Sequence, residues 1–438
     1  MTRRTPLYGW LTAEALSLTG TRVSMVALPW FVLTTTGSPT QTGFVALAEM
    51  LPLVVLKVLG GPIIDRLGAR RVSIACDLGS VVVVGAIPLL YVAGVLSLPV
   101  FFLLVAGAGA LRGPGDAAKA ALTPAIVAHA AVPMERATGL HSSVERGAGM
   151  LGFAFAGGLV AVLGPTNALA VDALSFLLSA VVLATTTRSL AGPAPLVEEV
   201  AQQPSRNPGE PPAGPSYLRQ LREGWDYLRR DPVLVGLTVM IAVTNLLDLA
   251  WASVIMPVWA QESGAGAALL GASFAVFSGA SMVGALVAAA WGERIPRFRT
   301  YLAAYLITGV PRFVVLAVDA PLPVVLAVFV VGGFASGFLN PILGAVFFER
   351  IPLPLTGRIS SLSTGVCYAL MPLGGLLGGL LISGFGLSPA LLIIGAAYFL
   401  ATMAPAVLPS FREMDRRPAD AQPGHSPLRA PTDTAATS

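Results

Sequence analysis

Residues 60 to 71 read Gly60-Gly61-Pro62-Ile63-Ile64-Asp65-Arg66-Leu67-Gly68-Ala69-Arg70-Arg71 and form a short polar turn between two apolar runs. Each run is long enough to cross a lipid bilayer. One Arg or Asp at the centre of a bilayer costs roughly 2.5 to 3.5 kcal/mol. A turn with one acid and three arginines is therefore predicted to lie at a membrane–water boundary, with the two runs as antiparallel neighbours.

The composition of the whole chain also indicates a membrane protein. Hydrophobic residues make up 55% of the 438 residues and charged residues only 11%, and the mean hydropathy is +0.77. Soluble domains carry about 25% charged residues, so this composition excludes a water-soluble globule. The two cysteines, Cys76 and Cys367, both fall in apolar segments and are interpreted as small core residues.

A helical crossing of the bilayer needs about 20 apolar residues, and this criterion predicts twelve transmembrane helices in two sets of six. The predicted fold class is therefore an all-α integral membrane protein. The predicted spans are 7–33, 43–64, 72–94, 98–120, 137–163, 167–187, 233–258, 268–291, 299–318, 322–348, 358–384 and 388–409.

These spans divide the chain into four parts. Residues 1–187 form an N-terminal six-helix half, and residues 233–409 form a C-terminal six-helix half. Between them lies a charged, Pro-rich segment at 188–232, which is typical of a linker. The tail at 410–438 is polar, has no apolar periodicity and is predicted to be disordered.

The second part of the linker has an amphipathic pattern. Residues 216–231 place four apolar side chains on one helical face, opposite several arginines. The four are Tyr217, Leu221, Trp225 and Leu228. This pattern predicts a helix that lies on the membrane surface, and a solvated lead-in to the seventh span is the alternative.

The placement of lysine and arginine predicts the orientation. All but five of the 27 Lys and Arg residues fall in segments, or at the ends of spans, on the side of the N-terminus, and none falls in the six predicted loops on the other side. The five that lie further inside spans are Arg22, Lys57, Arg112, Arg146 and Arg312. Because cytoplasmic loops carry an excess of Lys and Arg, we expect a multi-pass protein of the cell membrane with both termini and the linker in the cytoplasm.

The polar turn resembles the loop signature of the major facilitator superfamily through Gly61, Asp65, Arg66, Gly68, Arg70 and Arg71. Two further stretches, Ala27-Leu28-Pro29-Trp30 and Gly357-Arg358-Ile359-Ser360, are similar to the macrolide-efflux and enterobactin-exporter branch of drug:proton antiporters. The resemblance runs from the first span to the twelfth. It implies two six-helix pseudo-repeats, in agreement with the loose recurrence of Asp65-Arg66-Leu67 as Glu293-Arg294-Ile295.

The resemblance implies a secondary active transporter that works by alternating access. The expected activity is export of small amphipathic molecules, such as drugs or secondary metabolites, by proton antiport. The resemblance also implies that the loop acts as a gate, through a charge cluster of Asp65, Arg70 and Asp116. Residues 149–164 lack the Gly-Pro pair of the drug-antiporter pattern, so an importer or uniporter of the same fold is an alternative. A non-transporting membrane sensor is a third.

Ionisable residues inside spans predict a partner, an aqueous cavity or a titrating role, because their burial is costly. In the seventh span, Asn245, Asp248 and Trp251 lie on roughly one helical face. Asp248 is predicted to exchange protons or bind substrate, and Trp251 to stack on an aromatic or cationic substrate. The alternative is a structural hydrogen bond from Asn245 to Asp248. Burial favours the neutral acid and a nearby Arg22 or Arg112 favours its carboxylate, and this balance is expected to couple proton release to transport.

Other charged residues in the N-terminal half complete the predicted cavity set. Glu14 and Arg22 share a face of the first span and are predicted either to line one cavity or to pair with charges elsewhere. Glu49 is predicted to carry protons or act as a gate. Arg112 precedes a break at Gly113-Pro114-Gly115 and is predicted to tune a carboxylate or to anchor the boundary.

Enzyme motifs fail on inspection. Gly107-Ala108-Gly109 lies inside a predicted helix without a preceding strand, so it is interpreted as a packing surface and not as a phosphate loop. No metal-ligand spacing occurs, and no cofactor or catalytic residue is predicted. Asp77 and Asp172 are expected to bind neighbouring helices. The expected partners are a small-molecule substrate, protons and the lipid bilayer, without nucleic acid, and the chain is expected to function as a monomer.

Overall fold

The computed structural model describes residues 3–190, 217–291, 295–351 and 356–415, and every regular element in these ranges is helical. Twelve helices are long and apolar enough to cross a membrane, which confirms the predicted number. In chain order they are α1 Thr5–Thr36, α2 Pro39–Leu59, α3 Ala69–Val92, α4 Leu98–Ala130, α5 Arg136–Leu163, α6 Pro165–Thr186, α7 Pro232–Glu262, α8 Gly266–Trp291, α9 Arg297–Ala317, α10 Leu322–Glu349, α11 Ile359–Phe385 and α12 Leu387–Val407.

Most spans end within a few residues of their predicted limits, but α4 runs well past its predicted end at 120. A helix over Leu98–Ala121 is followed almost at once by a second one over Thr123–Ala130. The added turns remain ordered because their apolar side chains, Ile126 among them, pack in one cluster with Trp10 of α1. Residues near 120 are therefore inside the bundle and not at its edge.

The polar turn between α2 and α3 contains a short helix over Gly61–Leu67, where the sequence predicts only a turn. Ile64 explains the difference, because its side chain is buried in a cluster with Val72 and Ala118. The helix ends at Gly68, which has a φ of 85° and whose N–H donates to the carbonyl of Ile64 at 2.9 Å. A left-handed φ of this kind favours glycine, so Gly68 has a structural role in the loop signature.

The two halves contact each other mainly along two helix pairs, α2 with α11 and α5 with α8, with smaller contacts from α1 and α2 to α7. The closest contacts lie at the end of the bundle opposite to the chain termini. A Cβ on Gly157 would lie only 2.6 Å from the Cα of Gly271. The hydroxyls of Thr40 and Ser383 are hydrogen-bonded at 2.7 Å. Small residues allow this approach, so the bundle is closed at that end.

Four of the six helices of the C-terminal half are interrupted within the described residues. α7 contains a π-helical turn over Trp251–Ile255, and α9 is interrupted at Gly309, between Arg297–Thr308 and Val310–Ala317. α10 consists of Leu322–Ser336 and Leu339–Glu349. α11 is interrupted between the helix Thr356–Ala369, which begins three residues before the span, and the helix Leu373–Phe385. Interrupted backbone at membrane depth is tolerated where it is buried in protein or lines a cavity, and π-turns are frequent at functional sites.

Helical segments also occur outside the spans. The linker contains a helix over Tyr217–Leu228, within the amphipathic stretch that the sequence indicates. After α12, the chain continues as a 3₁₀ helix over Pro409–Asp415, where disorder is predicted from residue 410. Phe411 and Met414 are buried there, which explains the order. Residues 191–216, the repeat residues Glu293 and Arg294, and the tail from 416 onward lie outside the described residues.

Candidate functional site

A cavity of about 760 Å³ lies within the C-terminal half. Its walls come from α7 to α12, with Phe153 of α5 as the contribution of the other half. It extends from Trp251 and Phe274, near the closed end, to Phe348 and Ser360 at the end that carries the termini. Drug-sized ligands occupy pockets of roughly 300 to 1,000 Å³, so this cavity has room for one.

Asp248 of α7 lies in the cavity wall and accepts a hydrogen bond and ion pair from Arg312 of α9. The Asp248 side chain is 43% exposed and that of Arg312 only 5%. The pair presents its acid to the cavity and holds its cation in the wall. The sequence places Arg312 within a span but predicts Arg22 or Arg112 as the partner, and that expectation is wrong because both belong to the other half.

Three aromatic rings surround the Arg312 guanidinium. Its central carbon lies 4.8 Å from the Trp251 ring centre and 4.7 Å from those of Phe313 and Tyr398. Cation–π attraction stabilises a cation at such distances, and most strongly where water is excluded. Arg312 is therefore fixed in place by packing on several sides, so Asp248 has a permanent counter-charge.

The other two predicted residues of α7 also line the cavity, although with different contacts from those expected. Asn245 donates to the carbonyl of Cys367 in α11 at 3.0 Å, so its amide joins two helices and does not hold Asp248. The Trp251 ring is covered by Arg312 and packs edge-on against Phe274, with ring centres 5.5 Å apart. Its Nε1 is buried without a hydrogen-bond partner among the described residues.

The remaining predicted cavity residues lie in the N-terminal half and do not line this cavity. Glu49 of α2 accepts an ion pair from Arg112 of α4, and both side chains are nearly buried. Glu49 borders a separate small pocket beside Leu249 and Ser253 of α7. The pair joins α2 to α4 at the interface between the halves.

Arg22 of α1 lies near the closed end of the cavity without being in its wall. Its guanidinium carbon is 5.2 Å from the ring centre of Phe153, which packs on Phe274 with ring centres 4.9 Å apart. Its Nη1 contacts the Met25 sulfur at 3.2 Å. These rings connect Arg22 to the cavity across the interface between the halves.

Glu14 lies about two turns before Arg22 in α1. Its side chain is buried and does not pair with Arg22. Its Oε1 lies 3.8 Å from Nε2 of His141 in α5. Because a neutral imidazole carries no charge, the two side chains form an ion pair only while His141 is protonated. The His141 ring packs on Trp10, with ring centres 5.0 Å apart, and is 31% exposed. His141 therefore connects a buried acid to the surface of the bundle.

A second buried ion pair in this half was missed at the sequence level. Lys119 Nζ lies 2.9 Å from Oδ1 of Asp77, and Ser179 donates to Oδ2 of Asp77 at 2.7 Å. Lys119 lies next to the predicted end of the fourth span at residue 120, but the extension of α4 buries its side chain to 1% exposure. Asp172 accepts from Ser24 and Ser175. The prediction that Asp77 and Asp172 bind neighbouring helices is confirmed.

The charge cluster expected at the loop is not formed in this conformation. Arg70 Nε donates to the Thr187 hydroxyl at 2.9 Å, and its Nη2 donates to the Ala184 carbonyl at 2.8 Å, both at the end of α6. Among the ion pairs of the described residues, none includes Asp65 or Asp116. The role of Gly61, Asp65, Arg66, Gly68, Arg70, Arg71 and Asp116 as a gate therefore stays a prediction.

Twelve spans in two contacting sets, interrupted helices around an internal cavity and a charged pair at its wall define a polytopic membrane transporter. The sequence profile of the Major Facilitator Superfamily matches residues 10–247 and 238–435, so the chain belongs to this superfamily. It is therefore a multi-pass transporter of small molecules and not an enzyme.

Several known proteins are similar to this chain. It is 31% identical over 417 residues to the multidrug efflux pump Tap of Mycolicibacterium fortuitum, covering 94% of this chain and 98% of that protein. It is 21% identical over 417 residues to macrolide efflux protein A of Streptococcus pyogenes, covering 92% and 95%. The structure of a variant of the nucleoside transporter NupG superposes with a TM-score of 0.71 at 15% identity, covering 94% of this chain and all of that one.

Proposed function

We propose that this protein exports small amphipathic molecules that carry an aromatic body and a cationic group, in exchange for protons. The observation that carries the proposal is the half-exposed Asp248 carboxylate in an aromatic cavity, held by a buried Arg312. The similarity to an efflux pump named for multiple drugs supports export.

The site chemistry favours a cation. Arg312 engages Oδ1 of Asp248, which leaves the second carboxylate oxygen as an acceptor for a substrate ammonium. Phe274, Phe277 and Phe347 supply apolar walls for the body of the substrate.

Because the Asp248–Arg312 pair is neutral as a whole, a bound cation adds one uncompensated positive charge in a medium where charge is costly.

Loss of a proton elsewhere in the protein would offset this added charge. A transporter that binds its cation in one state and a proton in the other carries similar net charge through both halves of the cycle. This requires a buried acid that can lose its proton when the substrate binds.

Glu14 is the buried acid best placed for this exchange. Glu49 and Asp77 each have a cation in contact, Arg112 and Lys119. Asp172 is satisfied by hydroxyls and is fully buried. Among the acids buried in the described spans, Glu14 therefore combines a weak contact at 3.8 Å with a partly exposed titratable neighbour, His141. We assign proton exchange to Glu14 and substrate binding to Asp248.

We further propose that the termini lie in the cytoplasm, so that the cavity opens inward and the glycine contacts close the outer side. The distribution of Lys and Arg supports this orientation. In intact cells, a cysteine introduced at Ser38 is expected to react with an impermeant thiol reagent, and one at Ser205 to react only after permeabilisation. Labelling of Ser205 alone in intact cells would contradict the orientation.

Transport by inside-out membrane vesicles tests the function. With an acidic lumen, vesicles that contain the protein are expected to accumulate ethidium, an aromatic cation, and addition of ethidium is expected to make the lumen more alkaline. Vesicles from cells that lack the protein are the control. A pH-driven movement of ethidium out of the lumen would favour the importer, and transport without proton movement would favour the uniporter.

A further inference from the structure

The linker helix Tyr217–Leu228 is fixed along one side to the C-terminal half. Leu228 is buried in a cluster with Leu234, Ile351 and Ile359. The Tyr227 hydroxyl donates to the Arg350 carbonyl at 2.7 Å. Burial raises the pKa of Tyr227, and the nearby Asp231 raises it further, so the hydroxyl keeps the proton that it donates.

The opposite side of the same helix is exposed. Arg222, Trp225 and Arg229 follow at i, i+3 and i+7 and therefore share one face. Trp225 is 46% exposed, and both arginines and the following Arg230 are exposed. The sequence predicts Trp225 and Leu228 on one apolar face, but packing divides that face. Leu228 is buried against the protein, and Trp225 remains exposed, between Arg222 and Arg229 in the sequence of this face.

The position of the helix limits what can contact this face. Residues 229–231 alone separate it from Pro232, the first residue of α7. A chain extends by at most about 3.6 Å per residue, so the end of the helix lies within roughly 15 Å of a membrane span. The headgroup layer extends roughly 5 to 8 Å beyond the hydrocarbon on each side. The exposed face is therefore confined to the membrane surface or its immediate vicinity.

We propose that the headgroup stripe, formed by Arg222, Trp225, Arg229 and Arg230, binds anionic phospholipid headgroups of the adjacent leaflet. Guanidinium groups donate paired hydrogen bonds to phosphate oxygens, and an indole partitions to the headgroup level of a bilayer. Asp226 forms an ion pair with Arg229, with 2.9 Å between its Oδ1 and the Arg229 Nη2. Residues 217–230 carry four arginines against two acids, Glu223 and Asp226, so the segment keeps a net positive charge and a zwitterionic lipid is a poorer ligand than an anionic one.

Bound lipid would act on the transport site through Arg350. The Arg350 guanidinium lies 3.0 Å from Oδ2 of Asp231, and its carbonyl accepts from Tyr227. Arg350 directly follows α10, and Phe347 of that helix contacts the Leu228 cluster and also lines the cavity. Anionic lipid on the headgroup stripe therefore holds the cavity-lining end of α10 at the membrane surface.

Native mass spectrometry of the purified full chain tests the proposal by comparing retention of phosphatidylglycerol and phosphatidylcholine. Wild-type protein is expected to retain several-fold more phosphatidylglycerol. The variant with Arg222→Gln, Arg229→Gln and Arg230→Gln is expected to lose this preference. The matched control, with Arg3→Gln, Arg4→Gln and Arg136→Gln, removes three exposed arginines at the same end of the bundle and is expected to keep it.

A fluorescence measurement keeps the proposal testable if the triple variant does not fold. The difference between wild-type emission and that of Trp225→Phe isolates Trp225, and added phosphatidylglycerol is expected to shift this difference spectrum to the blue. An unshifted spectrum, or an unchanged lipid preference in a folded triple variant, would overturn the proposal. Equal retention of both lipids together with binding of an acidic peptide would overturn it in favour of a protein partner.

Discussion

Asp248→Asn is expected to weaken ethidium binding by roughly 10- to 100-fold, because a hydrogen bond to a charged group contributes about 1.5 to 3 kcal/mol and each 1.4 kcal/mol is tenfold. The amide keeps the size of the side chain and an oxygen acceptor for Arg312, but it removes the charge that attracts the substrate cation. Equilibrium binding to the purified protein, measured by ethidium fluorescence, checks the expectation.

The loss of stability that accompanies this substitution needs its own control. Asp248→Asn leaves the buried Arg312 guanidinium without its counter-charge. Because Asp248 itself is half-exposed, the cost is expected to lie below the roughly 3 to 5 kcal/mol that is typical of a fully buried pair. The double variant Asp248→Asn with Arg312→Gln removes both charges and is expected to recover thermal stability without recovering binding. If binding returned together with stability, Asp248 would have a structural role only.

An exposed acid provides a second comparison. Asp319 follows α9 at the closed end and has a φ of 48°, a left-handed conformation that asparagine also accepts readily. Asp319→Asn is expected to bind ethidium like wild type. A loss of binding in Asp319→Asn would indicate a general charge effect and not a site.

At the loop, Asp65→Asn is expected to slow turnover with little change in binding, because this residue lies outside the cavity.

The number of spans could be predicted because lipid offers no hydrogen-bond partners to the backbone. Every crossing must then be a long apolar helix, and such runs are visible in the sequence. The face of α7 that carries Asn245, Asp248 and Trp251 could also be predicted, because polar side chains are costly inside a span and recur there with helical spacing. The structure adds that all three line one cavity.

The partners of these residues could not be predicted, because they depend on which helices pack together. Arg312 and Asp248 are 64 residues apart, and nothing in their spacing relates α7 to α9. The end of α4 was predicted ten residues too early, at 120 instead of Ala130, because that end is fixed by packing against α1 and not by hydropathy. The amphipathic pattern of the linker helix was visible, but only the docking of Leu228 shows which side remains exposed.

Glu14→Gln is expected to abolish pH-driven accumulation of ethidium while downhill ethidium exchange continues. Glutamine matches glutamate in size and hydrogen-bonding reach but cannot lose a proton, so substrate binding at Asp248 has no proton to displace. A gradient of one pH unit stores about 1.4 kcal/mol per proton and drives about tenfold accumulation at one-to-one exchange. The variant is therefore expected to show an accumulation ratio near one in inside-out vesicles with an acidic lumen, where wild type approaches this limit.

Two variants separate proton exchange at Glu14 from loss of a structural acid. Asp172→Asn changes another acid that is buried in the N-terminal half without a cation in contact, and it is expected to keep gradient-driven transport because its two serine donors already satisfy it. His141→Gln leaves Glu14 intact but removes its titratable neighbour, so accumulation is expected to become slower without a change in its final ratio. Wild-type accumulation by Glu14→Gln would remove this acid from the coupling. If Asp172→Asn lost gradient-driven accumulation and Glu14→Gln kept it, proton exchange would be assigned to Asp172. The reason is that only a group that releases protons on substrate binding can make the final accumulation ratio depend on pH.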